Sequence, residues 1–522
     1  MNRSILLLYS FITAGVLFFW ASHLSFFPIP WSDDSVYLLA GSDLFQWPPL
    51  FRMHSQAMAV PTYDQANFNN MPLLPIVIGL IQFLGIKSVH ALRFFGMAIF
   101  GIWCGLLAYW MYRQKIKTIW IWLITLAALT SPVMRWAAMP VHPEVWQGLL
   151  WLLMLLEIAK FWGKQSYWRL SLYLALAAGF HFQAIVWVLP VAVGVFPYGM
   201  KGSTQKKFWE WGLRLWNICW RVLLFLSPWI FYVFWNWDLF WTQMEQQFSR
   251  LAEGHPYIKS AHSFFHSLFV ETGNPLQYPK FYNAGKIAFW IGLLLAVFSI
   301  IRKIKISATD RPTTTAALAA VLTTFYLWLD KPETWFILLF HMALFPIFIL
   351  SLPKFSKKSA PITVLIVFLI AIQTAVAAYQ YKKTKGIYQW GQYHEWVSCI
   401  DEKIGDKTKI WLPTALDVLV DLHKIKRERD YWGHNCFPEH PDRIANHMKK
   451  VNVMIHTWAL PTDDVMVSKN YTGAPRSYDI DKVTNYPWIQ YREYTAPRMG
   501  EPWRGTVCQR GPFWAFISLK AD

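Results

Sequence analysis

Charge is what this chain has least of. Asp, Glu, Lys and Arg make up 15% of its 522 residues, against 55% hydrophobic ones. With a positive mean hydropathy, that balance excludes the ordinary soluble class and places the chain among polytopic membrane proteins. Cysteine is sparse too. Its five copies are scattered, Cys104 and Cys219 in apolar runs and Cys399, Cys436 and Cys508 in the polar tail, with no CxxC or zinc-type spacing. The group His434, Cys436, Glu439 and His440 is spaced too irregularly for a metal site, and none is expected. The chain also lacks a GxxxxGK[ST] loop, a GxGxxG turn and a GxSxG elbow, the signatures of ATP-driven transport, dinucleotide chemistry and α/β-hydrolase chemistry. Charges inside the apolar runs are scarce, which argues against an ion-coupled transporter. No internal repeat or low-complexity tract is evident.

What is present is aromatic and basic. Thirty-two Trp, with many Tyr and Phe, fit interfacial belts and tightly packed helices, and some are available to line a site for a sugar or an isoprenoid chain. Basic residues outnumber acidic ones 49 to 31. They occur in short clusters between apolar runs, where cytoplasmic loops and anionic lipid explain them better than nucleic acid does.

Apolar length and flanking charge set the expected topology, since a crossing needs about 20 apolar residues. Arg3 puts the N-terminus in the cytoplasm ahead of an uncleaved first helix over 4–22, so the segment from His23 to Asn70 is outside. The short run 71–85 reads as an interfacial helix. If it crossed, Arg113, Lys115 and Lys117 would fall outside, against the positive-inside rule. Further crossings follow at 89–112, 118–134 and 145–162, then a stretch over 170–197 broken at Gly179, Phe180 and His181, then 215–237, 286–301, 313–329, 335–352 and 361–380. The expectation is about eleven transmembrane helices. A polar third outer loop spans 238–285, and Lys382, Lys383 and Lys385 are the one cluster that falls on the wrong side. Residues 1–380 form the membrane domain and 381–522 an outer soluble domain. β-like runs such as KIWLP, VNVMIHTW and FWAFISL alternate there with helical stretches such as ALDVLVDLHK, which reads as a small α/β domain. On an oxidising face, a Cys399–Cys436 disulfide is possible and leaves Cys508 free.

This topology gathers polar groups on one face. The first outer loop, 23–88, carries WSDDSVYLL with Asp33, Asp34 and Tyr37, and then Arg52 and His54. The second contributes Arg135, His142 and Glu144, the third Arg250 with several His and Lys259, and the fourth Lys331. A carboxylate accepts a proton from an attacking hydroxyl, which accelerates transfer by about 10² to 10⁴. Arg and Lys hold a phosphate and stabilise the charge developing on it as it leaves. Each taken alone also has a plain structural explanation. Arg250 is then a solvated loop charge, Lys331 a snorkelling anchor, Tyr37 and His142 interfacial packing. Acids and bases converging from separate loops favour a transfer reaction from a phosphate-linked donor.

The ordered motifs over residues 1–352 resemble the GT-C class of membrane glycosyltransferases. The likeness is to the branch of protein O-mannosyltransferases and lipid A aminoarabinose transferases. Asp33, Asp34 and Tyr37 match the branch's D-E-x-x-Y, with Asp at the second position. MPLLPIVIGLIQFLGIKSVHALRFFG is similar to its P-P-L interfacial helix and following A-x-R start, and HPE (142–144) to its R-P-D/E element. QFSRL, with Arg250, and KPETWFILLFHMALFP, with Lys331, resemble later elements of the branch. The resemblance implies that Asp33 is the base or acceptor-positioning acid and that Glu144 is the second-loop acid organising the site. Asp34 is then partly structural. Arg250 and Lys331 are implied to hold the phosphate of a polyprenyl-phosphate sugar. One departure is that Asn70 and Met71 stand where many relatives place a phosphate-touching Lys, which leaves Arg52, Arg135 or His142 to substitute unless the donor is held differently.

The expected function is an inverting glycosyltransferase on the outer face of a bacterial inner membrane. It moves one sugar from a polyprenyl-phosphate donor to a glycan, lipid or protein acceptor, without a metal or other cofactor, although Mg or Mn on the acidic pair is not excluded. The alternatives are an oligosaccharide ligase acting from a lipid carrier and a non-catalytic flippase or scaffold.

Overall fold

The computed structural model describes most of residues 71–130, 142–160, 166–252, 311–330 and 334–351. It also describes 390–405, five strands in the tail and isolated positions including Tyr37, Ala66 and Phe68. Its helices follow the apolar runs in order. They are α1 (Leu73–Phe83), α2 (Val89–Arg113), α3 (Thr118–Thr130), α4 (Glu144–Lys160) and α5 (Tyr167–Phe180), then a 3-10 turn (Phe182–Trp187) and α6 (Val188–Gly194). After these come α7 (Thr204–Trp235), α8 (Trp237–Ala252), α9 (Arg311–Asp330) and α10 (Thr334–Ser351). Among the described residues, two helices are long and apolar enough to cross a membrane, over Leu92–Arg113 and Thr204–Trp235.

The bundle is organised around α4, which packs against α2, α5, α6, α9 and α10. Its sequence explains why: EVWQGLLWLLMLLEIAK is apolar on every side, and Trp151, Leu152, Met154, Leu155 and Ile158 are all buried. Between helices in lipid, close packing rather than water exclusion supplies the cohesion. Trp151 stacks on Trp187 with ring centres 5.0 Å apart, and Trp146 stacks on Phe180 at 4.8 Å. Gly148 lets α10 come close enough for Met342 to occupy the place where a side chain would begin.

α1 has 11 residues, about 16 Å of helix, half of a hydrocarbon core. It rests on α5, where Gly179 has no side chain and Leu73 fills the space. α5 itself stops at His181, whose extended backbone turns the chain into the 3-10 segment. This is the break read at Gly179, Phe180 and His181. The end is not left unsatisfied, because Gln147 Nε2 of α4 donates to the carbonyls of His181 (3.0 Å) and Ala177 (3.4 Å).

α7 has 32 residues, about 48 Å of helix, and overruns the crossing expected at 215–237. It starts at a Ser203 cap, whose hydroxyl accepts from the Lys206 N–H at 3.3 Å. Pro228 lies inside it and cannot donate to Leu224 O, and the Ser227 hydroxyl donates there instead at 2.7 Å. The third outer loop, read as polar coil from Asp238, begins instead as helix α8. Asp238 and the exposed Glu245 fall on one side of it, seven positions apart, while Gln243 on the other side is buried, which makes an amphipathic helix.

The tail holds a five-stranded mixed sheet in the order β2-β1-β3-β5-β4. Its strands are β1 (Lys409–Pro413), β2 (Asp430–His434), β3 (Val453–Thr457), β4 (Trp503–Arg510) and β5 (Phe513–Lys520). β1 pairs in parallel with β2 and β3, and β5 pairs antiparallel with β3 and β4. Helix α11 (Trp390–Ile404) lies against β4 and β5, burying Trp396, Ile400 and Ile404. Cys399 of α11 is bonded to Cys508 of β4, with Cα atoms 5.9 Å apart. This corrects the expected Cys399–Cys436 pairing and removes Cys508 from the free thiols, because the docking of α11 on β4 sets those two Cα atoms at bridging distance. The crossing at 286–301 and the ALDVLVDLHK stretch lie outside the described residues, as does most of 361–380.

Candidate active site

The site is built where α4 begins. Glu144 is its first residue, immediately ahead of the crossing that runs from 145, and is almost fully buried. A carboxylate at a helix start meets the exposed N–H groups and the positive end of the helix dipole. His142, two residues earlier and also buried, places Nδ1 3.3 Å from Glu144 Oε2. Burial pushes the Glu144 carboxyl up, but the His142 imidazole, the charge of His181 and its own backbone N–H together outweigh burial and hold it below its ordinary value. The group is therefore set up as an anion.

Tyr37, from the segment ahead of α1, is buried with its ring centre 6.0 Å from that of His142 in an edge-on arrangement. Residues far apart in sequence, 37 and 142–144, thus meet. His181 completes the group, with Nδ1 accepting from the Gln183 N–H at 3.2 Å and its carbonyl held by Gln147. Neither His181 nor Gln147 stood among the sequence candidates. Gln147 follows Glu144 by three positions and so shares its helix face, and a histidine breaking an apolar run is an equally readable sign. A buried Arg93 in the first turns of α2 stands at the same end, since Phe95 two residues on packs 5.6 Å from Trp146.

Of the residues singled out from sequence, the structure brings together Tyr37, His142 and Glu144. Arg250 lies on α8, with its side chain outside the described residues. Asp33, Asp34, Arg52, Arg135 and Lys331 also lie outside them. Among the described residues, no group of three or more His, Cys, Asp or Glu side chains could hold a metal ion.

Next to this polar group is an apolar cleft of about 500 Å³ between α1, α5 and α7. Pro72, Leu73 and Ile76 line one side, Ala175, Leu176 and Gly179 another, and Phe225, Pro228, Trp229 and Tyr232 the third. The short segment Gly179 to His181 contributes to both, its glycine to the cleft and its histidine to the Glu144 group.

The described residues thus form a helical bundle with the short helix α1 packed on it, a buried acid at the start of α4 and a mixed sheet in the tail. The structure is similar to the crystal structure of ArnT from Cupriavidus metallidurans bound to undecaprenyl phosphate, with a TM-score of 0.59 over 99% of this chain and 98% of that one. Identity across that superposition is 11%, so the likeness is one of fold. By sequence, the chain matches no family model and no curated protein. The motifs resemble the branch that contains the aminoarabinose transferases, and the fold is similar to that of ArnT.

Proposed function

We propose that the chain is an inverting glycosyltransferase that takes a sugar from a polyprenyl-phosphate carrier at the outer face of a bacterial inner membrane. The observation that carries this reading is the meeting of an apolar cleft and a buried acid–imidazole group at one short segment, Gly179 to His181. An amphiphilic substrate fits such a place, its chain among Leu73, Ile76 and Trp229 and its polar head toward Glu144. The structural neighbour binds undecaprenyl phosphate, which supports a carrier of the same class here. An internal disulfide in the tail suits an oxidising compartment and so supports an outer location for that domain.

In this reading the acceptor hydroxyl loses its proton to Asp33 as its oxygen attacks the anomeric carbon. The new C–O bond forms on the face opposite the carrier, and the bond to the phosphate oxygen breaks with inversion. Arg250 and Lys331 take up the charge on the departing phosphate. Glu144 is held ionised by His142 and serves to orient this assembly, and Tyr37 packs its edge. No metal is required. In liposomes supplied with a polyprenyl-phosphate sugar, Asp33→Asn is expected to lower transfer about 10² to 10⁴-fold with folding intact. Undiminished transfer by that variant overturns the assignment, and loss of wild-type activity on chelation, restored by Mg²⁺, overturns the metal-free mechanism.

A further inference from the structure

At the N-terminal end of α5, where Trp168 reaches Phe225 at the near edge of the cleft, Arg221 of α7 sits half-buried in an aromatic cage. Its guanidinium carbon lies 4.3 Å from the ring centre of Trp220, 4.9 Å from that of Trp168 and 5.6 Å from that of Tyr167. Nη1 donates to Asn217, to the backbone oxygen and to Oδ1 at 3.0 Å. Nε is buried and has no acceptor among the described residues. The acids at this end are already engaged, Glu210 with Arg214 at 3.1 Å and Glu157 with Lys160 and Arg169 at 3.3 and 3.7 Å. Among the described residues, Arg221 has no carboxylate partner.

An arginine stays charged at any physiological pH, and rings stabilise that charge without neutralising it. The surface around it is apolar and outward-facing: Trp168, Trp216, Leu223 and Leu224 are all exposed. On a membrane-embedded bundle such a surface meets lipid, where an uncompensated charge is costly unless the lipid brings the counter-charge. The position along the bundle fits this. Tyr167 and Trp168 open α5 just after the basic residues that end α4, so the cage lies at headgroup depth, where Trp, Tyr and Arg collect.

We propose that the Arg221 cage is a binding site for the phosphodiester of an anionic phospholipid, which shares its oxygens with the guanidinium fork while its acyl chains run along the exposed face of α7. Along α5, Trp168 stands 11 positions from Gly179, about 16 Å of helix, so the cage is not where the proposed donor head group sits. The proposal rests on membrane embedding and not on the transfer reaction.

Native mass spectrometry of the full chain, released from nanodiscs holding equal phosphatidylglycerol and phosphatidylcholine, tests it. The wild-type protein is expected to retain phosphatidylglycerol preferentially, and Arg221→Gln to lose that preference about fivefold, the effect of one basic group near an anionic surface. Arg221→Lys keeps the charge without the fork and is expected to fall between the two. Equal retention of both lipids by the wild type overturns the proposal without recourse to any variant. So does an Arg221→Gln protein that retains phosphatidylglycerol as the wild type does, and so does displacement of the lipid by millimolar inorganic phosphate. Sugar transfer measured in the same nanodiscs is expected to persist in Arg221→Gln at a reduced or unchanged rate, so failure of the transfer reading shows separately as no transfer by any form.

Discussion

Gln243 and Phe68 stand 175 positions apart and are joined as two neighbouring strands would be. The Phe68 N–H donates to Gln243 Oε1 at 2.8 Å, and Gln243 Nε2 donates to the carbonyl of Ala66 at 2.7 Å. One side-chain amide thus satisfies a donor and an acceptor of the first-loop backbone, all of it buried. The Phe68 ring is seated among Trp229, Tyr232 and Phe240, with centres 5.5 to 5.8 Å away. The short segment at residues 66–68 and helix α8 are therefore joined to each other and docked on the end of α7 beside the cleft.

Gln243→Ala leaves two buried backbone groups unpaired and is expected to cost about 1–3 kcal/mol. The loss is read in thermal melts of the purified protein and in faster proteolysis near residue 66. Unaltered proteolysis there contradicts the docking.

Glu144 has a carboxyl held below its ordinary value. Its ionised form therefore contributes stability that is complete above the unfolded-state value of about 4.3 and is lost only as pH falls through the lower folded value. Glu144→Gln is expected to lower the melting temperature at neutral pH by an amount that stays constant down to the ordinary carboxylate range and shrinks on further acidification. A penalty that grows as the solution is made more acidic contradicts the assignment.

At Gly179 any side chain meets Leu73. Since the obstacle is the end of a leucine, Ala is tolerated by a small shift, whereas Val is expected to lift α1 and cost about 1–3 kcal/mol. Leu73→Ala in the same chain is expected to restore part of that, and a double-mutant cycle on melting data measures the coupling. Strict additivity of the two substitutions contradicts the contact.

Cys399→Ser and Cys508→Ser are expected to have equal effects, each costing about 2–4 kcal/mol in the tail, while Cys436→Ser leaves the bridge in place. Alkylation and mass analysis of the unreduced protein give the pairing directly, and protection of Cys436 contradicts it.

Local patterns carried much of this fold to the reader of the sequence. The apolar runs mark the helices, the Gly179–His181 break is where α5 ends, and KIWLP and FWAFISL coincide with β1 and β5. The pairing of the tail cysteines was not legible, because three thiols allow three bridges and the docking of α11 on β4 chooses among them across 109 positions. The clamp by Gln243 was hidden for a similar reason: α8 reads as a polar loop until its apolar side is given something to cover. In the site, HPE announced His142 and Glu144, and the motif announced Tyr37. The contribution of His181 depends on how α5 is stopped, which a linear pattern does not specify.

Because α4 is gripped by five neighbouring helices and its glycine is already filled by Met342, it has no room to slide or rotate. Glu144 is thus a stationary reference at the mouth of the bundle. Among the described residues, α1 touches the bundle chiefly through α5, and α8 chiefly through α7, so these two helices are held by fewer neighbours than α4. Whatever adjusts around the cleft is then left to these two helices, while the carboxylate of Glu144 keeps its place.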